Sequence, residues 1–327
     1  LAFVSDRETC DKRGRVNPAL RYAPAPVAPL AEPLPAPAAE TSLGAAFSEL
    51  TKARLTVMVL LTTLAGFYVA GSGPLDWPRL LHTLLGTALV AVCSSILNQA
   101  LERRTDALMR RTEMRPFVTR RLPLAPTIFG GCVLGVIGLA ELAWFVNGLT
   151  AFIALLTLAV YVVVYTPLKR LTPLNTLIGA VPGALPALLG ATASTGRIEA
   201  AGLSLFALLA AWQLPHFYAI AFMYRDDYER AGLRMVSVDD PSGRRTASHA
   251  VVSGLVLLPV SLLPVLVAHA SIAYGVIATL LSLLFLRFAL RFARDPARPT
   301  ARALFLASIA YLPLMLLALV IDAAFRR

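Results

Sequence analysis

Hydrophobic positions in this chain do not alternate with polar ones, nor do they form narrow stripes. They arrive in nine long runs, over about residues 53–71, 80–101, 125–146, 149–167, 175–193, 202–223, 250–269, 271–292 and 303–323. At 1.5 Å per residue each run is long enough to cross a hydrocarbon core of about 30 Å as a helix. The pattern predicts an all-α fold, a polytopic membrane helical bundle of nine spans. The turns after the third and seventh runs are very short, which makes those neighbours antiparallel hairpins. Pro182, Pro186, Pro215, Pro259, Pro264 and Pro313 fall inside runs, where they kink helices whose freed carbonyls find partners in the bundle.

Residues 1–45 have a different pattern. Pro24, Pro26, Pro29, Pro33, Pro35 and Pro37 are interleaved with Ala, Val and Leu, a composition that favours extended chain over helix. The expected organisation is a disordered Pro/Ala-rich tail over 1–45 and one membrane domain over 46–327.

Composition agrees with the runs. The chain is 57% hydrophobic and 15% charged, and its mean hydropathy is +0.69; a soluble domain carries about 25% charged residues. A net charge of +11 would suit nucleic acid, but the arginines are gathered in alternate connections. Arg103, Arg104, Arg110, Arg111, Arg115, Arg120 and Arg121 follow the second run, and Lys169 and Arg170 follow the fourth. Arg225, Arg230, Arg234, Arg244 and Arg245 follow the sixth, and Arg287, Arg291, Arg294, Arg298 and Arg302 lie at the end of the eighth or beyond it. The opposite connections carry only Arg79 and Arg197. This asymmetry makes the rich face cytoplasmic, or the matrix side, and puts no nucleic acid among the partners. Arg326 and Arg327 fall on the wrong side of a nine-span scheme. Cys10, Cys93 and Cys132 are too far apart for a zinc or disulfide framework.

Chemistry enters at residues 98–116, N-Q-A-L-E-R-R-T-D-A-L-M-R-R-T-E-M-R-P. Asn98, Glu102 and Asp106 are spaced i, i+4, i+8 and share one helical face if the helix outlasts its apolar run. Hard oxygen ligands suit Mg²⁺ held by carboxylates and substrate phosphates, and the adjacent arginines suit those phosphates. A charged loop that only fixes topology would show the same residues. A second acidic pair, Asp226 and Asp227, follows the sixth run on the same predicted face. Two such sites can bind one diphosphate through bridging Mg²⁺; ordinary helix ends can look the same. His216, behind Pro215 within an apolar run, is either a functional group or a partner for a freed carbonyl. His82, His249 and His269 read as interfacial side chains. Tyr161, Tyr165, Tyr218 and Tyr224 could shield a carbocation or form an aromatic belt.

Segment 98–116, the run V-Y-T-P-L-K-R-L-T-P-L-N-T-L-I-G-A-V-P-G-A-L-P-A-L-L-G over 164–190, and the pieces P-H-F-Y-A and R-D-D-Y-E-R-A-G together resemble the haem-directed branch of the UbiA superfamily of membrane prenyltransferases. The resemblance runs from about residue 46 to the end. It implies Asn98, Glu102 and Asp106 at a first Mg²⁺–diphosphate site and Asp226 and Asp227 at a second. It makes Arg103, Arg111, Arg115, Lys169 and Arg170 diphosphate donors and His216 a substrate-binding residue, with Arg110, Arg120 and Arg121 facing water or headgroups. It further implies farnesyl diphosphate and haem b as substrates, attack by a haem vinyl group on the farnesyl cation, and an enzyme of the haem A pathway as partner. The setting it implies is a bacterial cytoplasmic membrane or the mitochondrial inner membrane. Arg104 stands where many members carry another acid. His216 stands where quinone-directed members carry an acid, which favours haem over an aromatic quinone precursor. A polytopic transporter is the reading from a different class, but transporters bind near the midplane, whereas these acids gather at one surface.

Overall fold

The computed structural model describes residues 43–326, so all but the last three residues of the expected tail lie outside the described residues. Those three are not tail: Leu43 opens a helix, α1 (Leu43–Leu50). There follow α2 (Ala53–Ala70), α3 (Trp77–Asp106), α4 (Leu124–Phe145) and α5 (Gly148–Ala159). α5 runs through a π-helical turn, Val160–Tyr165, into the short α6 (Thr166–Leu168). Then come α7 (Asn175–Thr195), α8 (Ala200–Met223), α9 (Arg225–Arg230), α10 (Arg244–Ser261), α11 (Leu263–Leu266), α12 (Ile272–Arg294) and α13 (Arg298–Arg326). Among the described residues there is no strand, and nine helical segments are long and apolar enough to cross a membrane.

Five of the six prolines lie inside α7, α8, α10 and α13. Pro264 instead starts α11, because the seventh segment breaks at Leu262. The break leaves the Ser261 carbonyl without a helical partner, and the Tyr274 hydroxyl donates to it at 3.1 Å. Ends of helices are capped from within the sequence: Asp76 accepts from the Arg79 amide at 3.1 Å, and Asn147 from that of Thr150 at 2.8 Å.

α7 is the centre of the bundle: 78% of its apolar window is buried, against 22% for α4. Helices surrounded by lipid gain nothing by hiding leucine, so close packing depends on small residues. A Cβ on Gly66 of α2 would stand 2.0 Å from the Ala187 carbonyl oxygen of α7. One on Gly190 of α7 would stand 1.9 Å from that of Thr63. Gly86 and Gly138 join α3 to α4 in the same manner. A large apolar cluster, including Leu205, Leu208, Phe285, Phe292, Leu304 and Met315, fills the space between α8, α10, α12 and α13.

Candidate active site

α3 has 30 residues, about 45 Å of helix, and so outlasts any hydrocarbon core. Its last turns carry the predicted row. Asn98 and Asp106 are 0% and 1% exposed, and the Glu102 side chain 13%, while Arg103 and Arg104 on the flanking faces are exposed. The i, i+4, i+8 spacing therefore places three oxygen-bearing side chains on one inward face.

Three cations hold that face. Arg115 Nη1 lies 2.6 Å from Asp106 Oδ2 and 4.0 Å from Glu102 Oε2, and Lys169 Nζ lies 2.7 Å from Glu102 Oε1. Lys52 Nζ donates to Asn98 Oδ1 at 2.6 Å and to the Tyr161 hydroxyl at 3.3 Å. Burial, then the Arg115 charge, push the Lys52 ammonium down to about 7 despite the nearby acids. Burial also works against the Lys169 ammonium, but Tyr165 and Glu102 outweigh it and hold its proton more tightly than usual. Lys169 further sits 4.5 Å from the Tyr165 ring centre, and Tyr161 stacks on Tyr165 at 5.8 Å.

Asp106 Oδ1 is buried and has no hydrogen-bond partner among the described residues. An orphaned carboxylate oxygen beside Glu102 and the Asn98 amide is a donor set of hard oxygens, which fits Mg²⁺.

The second acidic pair is held differently. Asp227 is buried and paired with Arg230 one turn on. The Asp226 side chain is 84% exposed, 3.4 Å from Arg225. Among the described residues no three acids, histidines or cysteines are grouped so as to hold a metal ion. The segment nevertheless meets the first site through its neighbours. Tyr228 packs in one buried cluster with Met109 from the connection after α3, and Arg111 lies 5.2 Å from the Tyr224 ring. The Arg234 amide donates to the Lys169 carbonyl at 2.8 Å, and Asn175 Nδ2 to the Arg234 carbonyl at 2.7 Å.

Arg103 and Arg170 are exposed and form no ion pair among the described residues. Arg121, expected to face water or headgroups, is instead tied to Glu49 of α1 at 2.6 Å. His216 Nδ1 meets Ser308 Oγ at 2.6 Å, its ring stacked between Trp212 and Phe305. His249 stacks on buried Tyr218 rather than standing alone at an interface, and His82 pairs with Glu141 at 2.7 Å. Sequence reasoning missed Lys52 and Thr166. Lysine scarcity was the available signal for the first: of 30 basic residues only Lys12, Lys52 and Lys169 are lysines, and two of them meet here. Local capping then aims Lys52. Gln99 Nε2 and Ser95 Oγ donate to the Leu50 carbonyl at 2.6 and 2.8 Å, and Lys52 itself turns left-handed at φ 47°.

The chain is similar to several known proteins along most of its length. It is 41% identical over 304 residues to the protoheme IX farnesyltransferase of Koribacter versatilis, covering 90% of this chain and 97% of that one. To that of Salinibacter ruber it is 42% identical, covering 84% and 96%. The mitochondrial protoheme IX farnesyltransferase of Arabidopsis thaliana is 36% identical, covering 82% of this chain and 62% of the plant protein. Among solved structures, a digeranylgeranylglyceryl phosphate synthase superposes with a TM-score of 0.73 at 16% identity, over 85% of this chain and 98% of the other. A UbiA homologue from Archaeoglobus fulgidus bound to GPP and Mg²⁺ superposes at 0.59 and 16%, over 84% and 99%; at such identities the likeness concerns the fold. The model of the UbiA prenyltransferase family matches residues 59–315. By that match and by its curated relatives, this chain belongs to the UbiA prenyltransferase family.

Proposed function

We propose that this membrane protein transfers a farnesyl group from farnesyl diphosphate to a vinyl group of haem b, giving haem O and diphosphate. The observation that carries it is the inward-facing set of Asn98, Glu102 and Asp106 with Lys52, Arg115 and Lys169, in a chain whose curated relatives bear that activity in their names.

Asn98, Glu102 and Asp106 would hold Mg²⁺, with Asp106 Oδ1 the oxygen still open to it. Bound there, the ion supplies Lewis-acid neutralisation of the departing diphosphate. With their oxygens given to the ion, Glu102, Asp106 and Asn98 would leave Arg115, Lys169 and Lys52 available to phosphate. Arg115, Lys169 and Lys52 would then donate to phosphate oxygens and stabilise the negative charge that grows as the allylic C–O bond breaks. The electron pair of that bond leaves with diphosphate. Tyr161 and Tyr165 offer ring faces to the allylic cation. The vinyl carbon bonds to it, and water captures the resulting cation beside the porphyrin with loss of a proton, leaving a hydroxyethylfarnesyl group. Asp226 and Asp227 complete the diphosphate site in this reading, supported by the packing of Tyr228 on Met109. His216 contacts haem or orients the water. A haem-A-pathway enzyme would receive the product.

The test is direct. Purified protein, haem b, Mg²⁺ and farnesyl diphosphate should yield a haem of increased mass and hydrophobicity. Prenylation of an aromatic quinone precursor, with haem left unchanged, would replace this reading by the quinone one.

A further inference from the structure

Asn98 is fully buried, and the two ends of its amide have nearly the same shape. Neighbours alone decide which end faces the cations. One neighbour is Thr166, whose hydroxyl lies 3.0 Å from Asn98 Nδ2 and 2.8 Å from the Tyr161 carbonyl oxygen. A hydroxyl has one proton. The carbonyl can only accept, so that proton goes to Tyr161 and a lone pair faces Asn98. The amide must then present its NH₂ to Thr166 and its oxygen to the opposite side, where Lys52 Nζ stands at 2.6 Å.

The π-helical turn makes this contact. Over Val160–Tyr165 the ladder widens so that the Thr166 amide also reaches the Tyr161 carbonyl, five residues back. An α-helical turn would give that carbonyl to the amide of residue 165 instead. The wide turn gathers both the amide and the hydroxyl of Thr166 on one acceptor, on the side of α5–α6 that meets α3.

We propose that Thr166 is a positioning residue: its hydroxyl sets the polarity of the Asn98 amide, so that an oxygen and not an NH₂ faces the metal. The inference rests on the reading that Asn98 serves Mg²⁺ in a prenyltransferase. Lys52 favours the same orientation, but Lys52 is among the cations that loading displaces. Thr166 is the partner that stays.

The experiment measures Mn²⁺ binding by electron paramagnetic resonance, on the full chain in detergent with farnesyl thiodiphosphate, which is not transferred. Thr166→Val keeps the shape and removes the acceptor, and should weaken Mn²⁺ binding about 10-fold, the scale of a lost outer-sphere partner. Thr166→Ser keeps the hydroxyl and should bind as the parent does. In an Asn98→Asp background, where an oxygen faces both ways, adding Thr166→Val should cost nothing further. Where Thr166→Val does not fold, Thr166→Ala, which only removes atoms, carries the same expectations. Parental binding by the valine or alanine variant overturns the inference. So does a serine variant as weak as valine, which marks a role for the γ-methyl, or an undiminished cost in the aspartate background, which shows that the hydroxyl does not act through the Asn98 amide. A parent that binds no Mn²⁺ at all refutes the prenyltransferase reading instead.

Discussion

At Asp106 one carboxylate oxygen takes Arg115 and the other takes no partner among the described residues, although both are buried. Thr87 Oγ1, Gln99 Oε1 and Asn175 Oδ1 share this state, but only Asp106 Oδ1 belongs to a carboxylate, the group that suits a cation. Asp106→Asn keeps the shape and removes the charge that two cations would share. Turnover should fall on the order of 100-fold, the scale of losing one transition-state electrostatic partner. The thermal midpoint of the detergent-solubilised protein should change little, because Arg115 keeps Glu102 within reach. A Mg²⁺ titration of turnover checks it, and near-parental activity at limiting Mg²⁺ would remove the first metal site. The three members of the row were legible because i+4 spacing is geometry that a sequence displays. Lys52 was not. It lies 46 residues from Asn98 and reaches the site through a left-handed bend and a cap supplied by α3, none of which leaves a local pattern.

Among the elements, span positions were legible and helix ends were less so. α3 runs five residues past its apolar run, α10 begins six residues before its own, and α13 five before. Hydropathy reports the hydrocarbon thickness, whereas a helix continues into the interface on polar residues. The π-turn was invisible, since V-Y-V-V-V-Y is apolar at nearly every position and reveals neither a 3.6 nor a wider period. The crossing of α2 with α7 was also hidden, because lipid-facing and protein-facing leucines look alike. That crossing depends on two glycines. Gly190→Ala would press a methyl onto the Thr63 carbonyl, and should destabilise the protein by about 1–3 kcal/mol as overpacking. Gly130→Ala in α4, with open space at its Cβ, should not. Thermal unfolding of the two variants side by side decides it; equal midpoints would mean that the helices can separate without loss.

For the whole molecule the arginine asymmetry predicts an orientation, and of its two exceptions Arg326 has a structural partner while Arg327 lies outside the described residues. Three described arginines fall at the opposite end of the bundle from the candidate site, and each has an acid beside it. Arg79 lies 3.5 Å from Asp76, Arg197 pairs with Glu199, and Arg326 lies 2.9 Å from Asp322. Asp322 also accepts from the Ser271 amide at 3.0 Å, and Arg326 donates to the His269 carbonyl, so this pair clasps the turn before α12. The positive-inside bias counts basic residues near span ends, and an arginine held in such a clasp has a structural reason to be there. The predicted topology therefore keeps nine spans, with Glu113 on the cytoplasmic or matrix side and Ser72 on the other. Both side chains are exposed; Thr112, beside Glu113, is 2% exposed and would report nothing. With the parent chain as control for its own cysteines, an impermeant maleimide added to intact cells should label Ser72→Cys. It should reach Glu113→Cys only after the membrane is opened. Labelling of Glu113→Cys from outside would turn the bundle over and put the proposed diphosphate site on the face away from the cell's diphosphate pool.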